Sequence, residues 1–450
     1  MSECEAYFRY ILGEIIPESR EWEIKTVGES GSLDLSSTKK LPLVIHVGNK
    51  PDAVFRPITI IGKYKSLVSS SDPLGDLVNG FHANQSRGNI LATFDPDGSP
   101  ALVFYPEVNT FYCMFDLEEL VCRLSMLQDE SGVKDRHGRF LAQYHPNEDR
   151  WKVPLLESLG KSMREAVRLP DYRKKWGILM THDVDRVTVE PTLLIRNFIL
   201  YRKITKFSLN VEKDMLYSNL KRLAEIDKQQ GIESAWFFLS GPYSVRRHGN
   251  RYGSDSMKVR KLIEKVIENG HAIGLHMSFY AAFNLLQSQR ETEGLKRIYG
   301  QAILLNRNHY LRFNMRKSIP LYEKSGFSVD STLGYSDANG FRAGLCRPFQ
   351  LWNYETRKKS NVVEVPLLFM DSVHSNNLAE SWNDLNRVLR WVKETRGCGT
   401  ILFHPCSMAD NRENQQFYLD AIRECQRLDI PFLSIDDVLD RKSGEITHEN

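Results

Sequence analysis

From residue 176 onward, short apolar runs alternate with stretches of helical period, and that alternation limits the fold more than any other feature of the chain. Strand-like runs fall at 178–180, 234–240, 271–276, 309–313, 362–368, 400–404 and 431–435. Helix-like stretches fall at 256–269 (ended by Gly270), 291–305, 317–325 (ended by Gly326), and near 380–395 and 412–427. Strands that alternate with helices pair in parallel, in an open sheet or a barrel. The sequence therefore predicts an α/β unit over residues 173–440. In a barrel of this kind, active groups gather at the C-terminal ends of the strands.

The polar residues sit at those ends. Residues 176–186 read Trp-Gly-Ile-Leu-Met-Thr-His-Asp-Val-Asp-Arg, a buried-strand run that stops in acids. Side chains alternate along a strand, so Asp183 and Asp185 point the same way. Two carboxylates on one face repel. A metal, an arginine or a shared proton has to offset that. His276 follows Ile273-Gly-Leu275, Arg312 closes the run 309–313, and His404 follows the run 400–403. A single such residue is explained by packing or a buried ion pair. Four strands that end in Asp, His, Arg and His are not.

At 450 residues the chain is too long for one ordinary core. Residues 1–170 read as a smaller α+β domain. Strands are expected at 42–47 and 58–61, and a hairpin at 90–93 and 101–105 around Asp95-Pro-Asp-Gly98. Helices are expected at 115–126 and 155–167. The stretch 133–140 reads as an exposed polar loop, from which His137 and Arg139 could touch a ligand. The charged, proline-containing stretch 169–175 reads as a linker. A net charge of +3 gives no electrostatic case for nucleic acid. The N-terminus carries acids where a signal peptide carries bases, and no apolar stretch reaches bilayer length. Seven cysteines are scattered without Cys-x-x-Cys spacing, which fits reduced thiols and a cytoplasmic protein. Residues 192–207 hold Arg196, Arg202, Lys203 and Lys206 among apolar residues, and no acid. They read as a barrel helix with its basic side outward; the competing reading is a segment lying on an anionic membrane.

With these residues in place, the chain resembles the polysaccharide deacetylase family, carbohydrate esterase family 4. Thr181-His-Asp-Val-Asp185 resembles the first motif. Gly270-His-Ala-Ile-Gly-Leu-His276 resembles the approach to the second, Arg312 the third, and Ile401-Leu-Phe-His404-Pro405 the last. The resemblance covers roughly residues 173–440 and implies a deformed (β/α) barrel. Asp135-Arg-His-Gly-Arg-Phe140 resembles the accessory domain that precedes a subset of these proteins. Val329-Asp-Ser-Thr-Leu-Gly-Tyr335 and Gly340-Phe-Arg-Ala-Gly344 also resemble that subset. One departure stands out. The family's second motif ends in a second histidine, where this chain reads His276-Met-Ser-Phe-Tyr280. His309 is a candidate replacement, although strand alternation would turn it away from the face of Arg312. Tyr280, Asn284 and water are others.

The resemblance implies hydrolysis of a carbon–nitrogen bond, namely metal-assisted N-deacetylation of a saccharide in polysaccharide biosynthesis. It makes Asp183 the general base, Asp185 and His276 ligands of a divalent metal such as zinc, Arg312 the partner of Asp183, and His404 the proton donor. Arg342 and Tyr335 would line the substrate groove, unless 340–344 is only a structured turn. With two sure ligands, metal binding is expected to be weak. A saccharide, lipid-linked if the basic segment meets a membrane, is the expected partner. Two competitors share the fold: a metal-independent amidohydrolase of small cyclic amides, and a non-catalytic saccharide-binding member.

Overall fold

The computed structural model describes residues 7, 10–12, 14, 23–26, 43–46, 90–93, 100–105, 110–113, 124–127, 130, 132–145, 150–166, 175–188, 214–244, 248–409 and 411–439. The expected strand 58–61, the turn 95–98, most of the helix 115–126 and the basic segment 192–207 lie outside the described residues. By contact the chain forms two units. One comprises 1–133, 142–172 and 343–345, the other 134–141, 173–342 and 346–450. The short segment 134–141, sequence-contiguous with the first unit, thus belongs to the second.

The first unit holds strands β1 (Glu23–Thr26), β2 (Leu43–His46), β3 (Ile90–Thr93), β4 (Pro100–Tyr105) and β5 (Thr110–Cys113). They form an antiparallel sheet in the order β1-β2-β5-β4-β3, with β3 and β4 paired as expected. Helix α1 (Leu155–Ala166) follows.

The second unit carries β6 (Gly177–Val184), α2 (Met215–Gln229), β7 (Ala235–Phe238), α3 (Met257–Glu268), β8 (Ala272–Met277) and α4 (Leu285–Tyr299). It continues with β9 (Leu305–Asn308), α5 (Met315–Lys324), β10 (Val329–Asp330), β11 (Phe349–Asn353), β12 (Lys358–Glu364) and β13 (Leu367–Met370), then α6 (Leu378–Thr395), β14 (Cys398–Phe403) and α7 (Arg412–Arg427). The sheet order is β11-β12-β10-β9-β8-β7-β6-β14-β13, parallel throughout except β11 against β12. It curls into an incomplete (β/α) barrel. Strands β6, β7, β13 and β14 are buried along their whole length, as strands covered on both faces must be. Local chemistry sets the helix ends. Asp214 caps α2 by accepting from the backbone N–H of Leu216 and Tyr217, and Gly270 follows α3 at φ +86°.

Four expectations need correction. The helix expected at 291–305 lies six residues earlier, as α4, because Asn284 caps its start and Gly300 at φ +81° ends it. The run 309–313 is not a strand; the strand is β9, four residues earlier, and the chain then turns through a 3₁₀ segment at His309–Leu311. The polar sequence Leu-Asn-Arg-Asn hides this strand, because Asn306, Arg307 and Asn308 hydrogen-bond to specific distant partners instead of forming an apolar run. The run 431–435 makes only a single bridge, Phe432 to Ile178. It stops there because Ser434 and Asp437 form a capping box that starts a short helix at Ile435–Val438. That bridge is possible because residue 177 is glycine: a Cβ there would stand 2.1 Å from the Pro431 carbonyl oxygen. The run 362–368 is split between β12 and β13.

Candidate active site

Strand β6 delivers Asp183 at its buried end and Asp185 just beyond it. Asp183 Oδ1 accepts from Arg307 Nη1 at 3.0 Å. Arg307, on β9, is wholly buried. Its other donors reach Thr181 Oγ1 at 2.8 Å, the Ser331 carbonyl at 2.8 Å, Ser331 Oγ at 2.8 Å and Thr400 Oγ1 at 3.2 Å. Its guanidinium also lies 4.5 Å from the Phe237 ring centre. A buried cation is tolerable only with such full pairing. Arg307, not Arg312, is therefore the partner of Asp183. Arg312 donates to the carbonyls of His137 and Phe279 and stacks on Phe279 and Phe283. The arginine at the strand end differs from the expected one because β9 ends at Asn308, four residues before Arg312.

His276, near the end of β8, is 2% exposed. Its Nδ1 lies 3.0 Å from the Arg307 carbonyl oxygen. A carbonyl only accepts, so Nδ1 carries the proton and Nε2 faces the carboxylates. Nε2 is 3.3 Å from Asp185 Oδ1 and 3.7 Å from Asp183 Oδ2. Burial works against a charge on this imidazole, but Asp183 and Asp185 outweigh it and raise its pKa. His309 Nε2 approaches the same Asp185 Oδ1 at 3.4 Å. Here burial dominates and pushes the pKa down to about 4, so the ring is neutral at neutral pH with a lone pair to give. Burial would raise Asp185, yet His309 and then His276 hold its carboxyl well below the usual range.

Asp185, His276 and His309 form a possible metal site: one donor atom from each lies within 4.8 Å of the others. Two observations fit a metal. Asp185 Oδ1 is buried and accepts no well-formed hydrogen bond, although two imidazole nitrogens converge on it. The Asp185–His276 and Asp185–His309 separations of 3.3 and 3.4 Å also match the spacing of neighbouring ligands around a tetrahedral ion, roughly 3.4 Å for bonds of about 2.1 Å. His309 reaches the cluster because it stands two residues beyond Arg307, the partner of Asp183, so that alternation along β9 turns both towards one face. The chain leaves β9 at Asn308, and Tyr310 (φ +64°) and Leu311 (φ +52°) take left-handed conformations. Such conformations cost roughly 1–2 kcal/mol per non-glycine residue. Of the other candidates for the missing ligand, Tyr280 is 51% exposed and Asn284 caps α4 by accepting from the Gln287 N–H.

His404 follows β14. Its Nδ1 is 2.5 Å from Asp371 Oδ1, and its backbone N–H donates to Asp371 Oδ2 at 3.0 Å. Ser407 Oγ donates to the same oxygen at 2.8 Å. Burial alone would lower the His404 pKa, but the Asp371 carboxylate overrides it and raises the value to about 10. Sequence reasoning missed Asp371, although the signal was present: it ends the apolar run 367–370 as Asp183 ends its own.

These groups line one cavity of about 370 Å³. Its wall includes Asp183, Asp185, His276, His309, Asp371 and His404, with Arg139, Asn308, Ser336, Ser372, Ser375, Ser407 and Asn414. Arg342 and Tyr335 are not in that wall. Both are buried; Arg342 donates to the Gly334 carbonyl at 2.9 Å and lies 5.1 Å from the Tyr335 ring centre. Residues 340–344 are thus a structured turn. The loop 133–140 is not simply exposed either: His137 is 7% exposed, and Arg139 reaches the cavity.

No protein-family model and no curated protein matches the sequence. Solved structures do. The chain is similar in fold to polysaccharide deacetylases. One, from Mycobacterium smegmatis and assigned as a polysaccharide deacetylase, is 16% identical and matches over 60% of this chain and 92% of its own, with a TM-score of 0.43. The chitin deacetylase of the fungal pathogen Colletotrichum lindemuthianum is 12% identical over 60% of this chain and 91% of its own, at a TM-score of 0.35. An allantoinase is 11% identical over 58% and 88%, at 0.38.

Proposed function

We propose that the chain is a metal-assisted hydrolase of carbon–nitrogen bonds that removes an N-acetyl group from a saccharide. One observation carries the reading. A two-nitrogen, one-oxygen donor set, a carboxylate fixed by a buried arginine, and an imidazole kept protonated by its own carboxylate all open into one cavity.

Amide hydrolysis needs a proton taken from the attacking water and a proton given to the leaving amine. Asp183 takes the first; Arg307 fixes its orientation, leaving Oδ2 free to accept. His404 gives the second, and Asp371 keeps it charged until then. Such groups contribute about 10²- to 10⁴-fold each. Asp185, His276 and His309 would hold a divalent ion, and zinc suits one carboxylate and two imidazoles. When bound, the ion polarises the carbonyl and lowers the pKa of water. The Arg307 carbonyl fixes the tautomer that presents His276 Nε2, the arrangement expected behind a ligating histidine.

The hydroxyl and amide groups of Ser336, Ser372, Ser375 and Asn414 suit a polyhydroxylated substrate, and the wall also holds Leu378, Phe417 and Met408 for the apolar face of a sugar ring. Among the described residues no helix is long and apolar enough to cross a membrane. Cys346, Cys398, Cys406 and Cys425 are thiols rather than disulfide halves, which supports a reducing setting.

The test is an assay of purified protein on N-acetylated sugar oligomers and on hydantoin-like cyclic amides, before and after chelation, with elemental analysis. Acetate release that vanishes with the metal and returns on zinc addition is expected. Full activity of protein shown to be metal-free would overturn the metal mechanism in favour of a metal-independent amidohydrolase. Metal binding without turnover on any amide would point to a saccharide-binding member.

A further inference from the structure

We propose that Arg139 is a positioning residue for the third metal ligand: through the Tyr310 carbonyl it holds the turn that aims His309 at Asp185. The proposal rests on the metal-site reading above.

His276 and His309 are oriented by different means. The His276 ring is fixed from behind by the Arg307 carbonyl. Among the described residues, the His309 ring has no such hydrogen bond; it faces Asp185, and its ring neighbours are His276 at 4.8 Å and Tyr310 at 4.3 Å. Ligating histidines normally carry a hydrogen bond on the far nitrogen that sets their aim. For His309 the backbone turn must do this, and that turn holds two consecutive left-handed non-glycine residues, Tyr310 and Leu311. Such a conformation persists only where its surroundings over-determine it.

The segment 134–141 supplies those surroundings. Asp135 Oδ1 accepts from the backbone N–H of His137 and Arg139, both at 2.9 Å, which closes a compact loop. Its Oδ2 receives Arg139 Nε at 2.9 Å and Nη2 at 2.8 Å. The guanidinium is thereby locked, and Nη1 donates to the Tyr310 carbonyl at 3.2 Å. The His137 ring stacks on the Tyr310 ring, 5.0 Å between centres and 17° between planes. Arg312 Nε donates to the His137 carbonyl at 2.9 Å. From the inner side, Asn308 Nδ2 donates to the Arg312 carbonyl at 2.6 Å. The turn is gripped at its backbone, its ring and its exit, and Arg139 makes the grip on the strained residue's own peptide.

The test is competitive zinc titration of chelator-stripped protein, with cobalt(II) absorption as a report on ligand geometry. Arg139→Ala is expected to bind zinc about ten- to a hundredfold more weakly, the usual effect of losing an outer-shell partner, and to alter the cobalt spectrum. Arg139→Lys is expected in between, because an ammonium reaches the carbonyl but cannot fork on Asp135. If Arg139→Ala yields no folded protein, Arg139→Lys carries the test. Arg387→Ala is the control: it removes an arginine bonded to Asp384 and the Asn339 carbonyl and is expected to leave zinc affinity unchanged. Unaltered zinc binding by the Arg139 variants, while His309→Ala loses it, would overturn the proposal and leave the metal site standing. Equal weakening by Arg387→Ala would overturn it as mere destabilisation. Unaltered binding by His309→Ala would instead bring down the metal-site reading.

Discussion

Arg307 reaches Asp183 across two intervening strands: β9 and β6 are separated in the sheet by β8 and β7, yet Nη1 and Oδ1 meet at 3.0 Å. The curl of the sheet makes this possible, and Phe237 on β7 lies beneath the guanidinium as it crosses. Both side chains are buried, so removing one strands the other. Arg307→Ala is expected to cost about 3–5 kcal/mol of stability. Arg307→Met combined with Asp183→Asn is expected to cost less than the sum of the two single changes. Urea denaturation of the four proteins checks this. Strict additivity would mean that the pair is not coupled.

Asp183→Asn keeps the shape of the side chain and can still lie beside Arg307, but it cannot take a proton. Turnover is expected to fall at least about a hundredfold, with zinc content unchanged, since Asp183 is not in the donor set. Acetate release and metal content measured on one preparation test it. Activity within a few-fold of wild type would remove Asp183 from the role of base.

The Asp371–His404 pair predicts a pH dependence. His404 is held at about 10, above the roughly 6.5 of an unfolded histidine. Its contribution to stability is therefore fully present below about pH 6.5 and is lost as pH rises through about 10. Asp371→Asn removes the strongest influence that opposes burial and leaves only Asp185 and Asp183 to oppose it, so the His404 pKa is expected to fall well below about 10 and the basic limb of the pH–rate profile to move down with it. The variant is also expected to lose less stability than wild type between pH 6 and pH 10. Histidine NMR titration and urea unfolding at the two pH values measure both. A His404 pKa unchanged in Asp371→Asn contradicts the assignment.

What the sequence showed and what it hid follow from the same physics. Ile178, Leu179 and Met180 announce β6 because apolar burial leaves a pattern in the chain. Asn306, Arg307 and Asn308 are as buried as that run, but they are paid for by hydrogen bonds to Asp330, Ser331, Thr332 and Tyr322. Those partners lie far along the chain, so nothing local marks a strand. The aromatic run at 309–313 looked more strand-like and drew the expectation to Arg312. Asp185, His276, His404 and, as a candidate, His309 were legible from position. Asp371 was readable by the apolar-run-then-acid pattern but was not read. Arg139 was visible only as a polar loop residue, because its importance depends on which unit the loop joins.

The placement of His309 revises the expected metal affinity. With two ligands the site would bind weakly; with Asp185, His276 and His309 converging, it would offer the three protein ligands that a catalytic zinc site uses. Zinc is therefore expected to stabilise the folded protein by mass action, by about 2.7 kcal/mol at a hundredfold excess over Kd. The stabilisation is expected to shrink sharply in His309→Ala and in His276→Ala. His404→Ala is expected to keep it while losing turnover, since His404 gives a proton rather than a bond to the metal. Tyr280→Ala, at the position where the second-motif histidine would stand, is expected to keep both. Thermal unfolding with and without zinc, beside acetate release, separates the four variants. A Tyr280→Ala protein that loses zinc stabilisation while His309→Ala retains it would return the third ligand to the second motif.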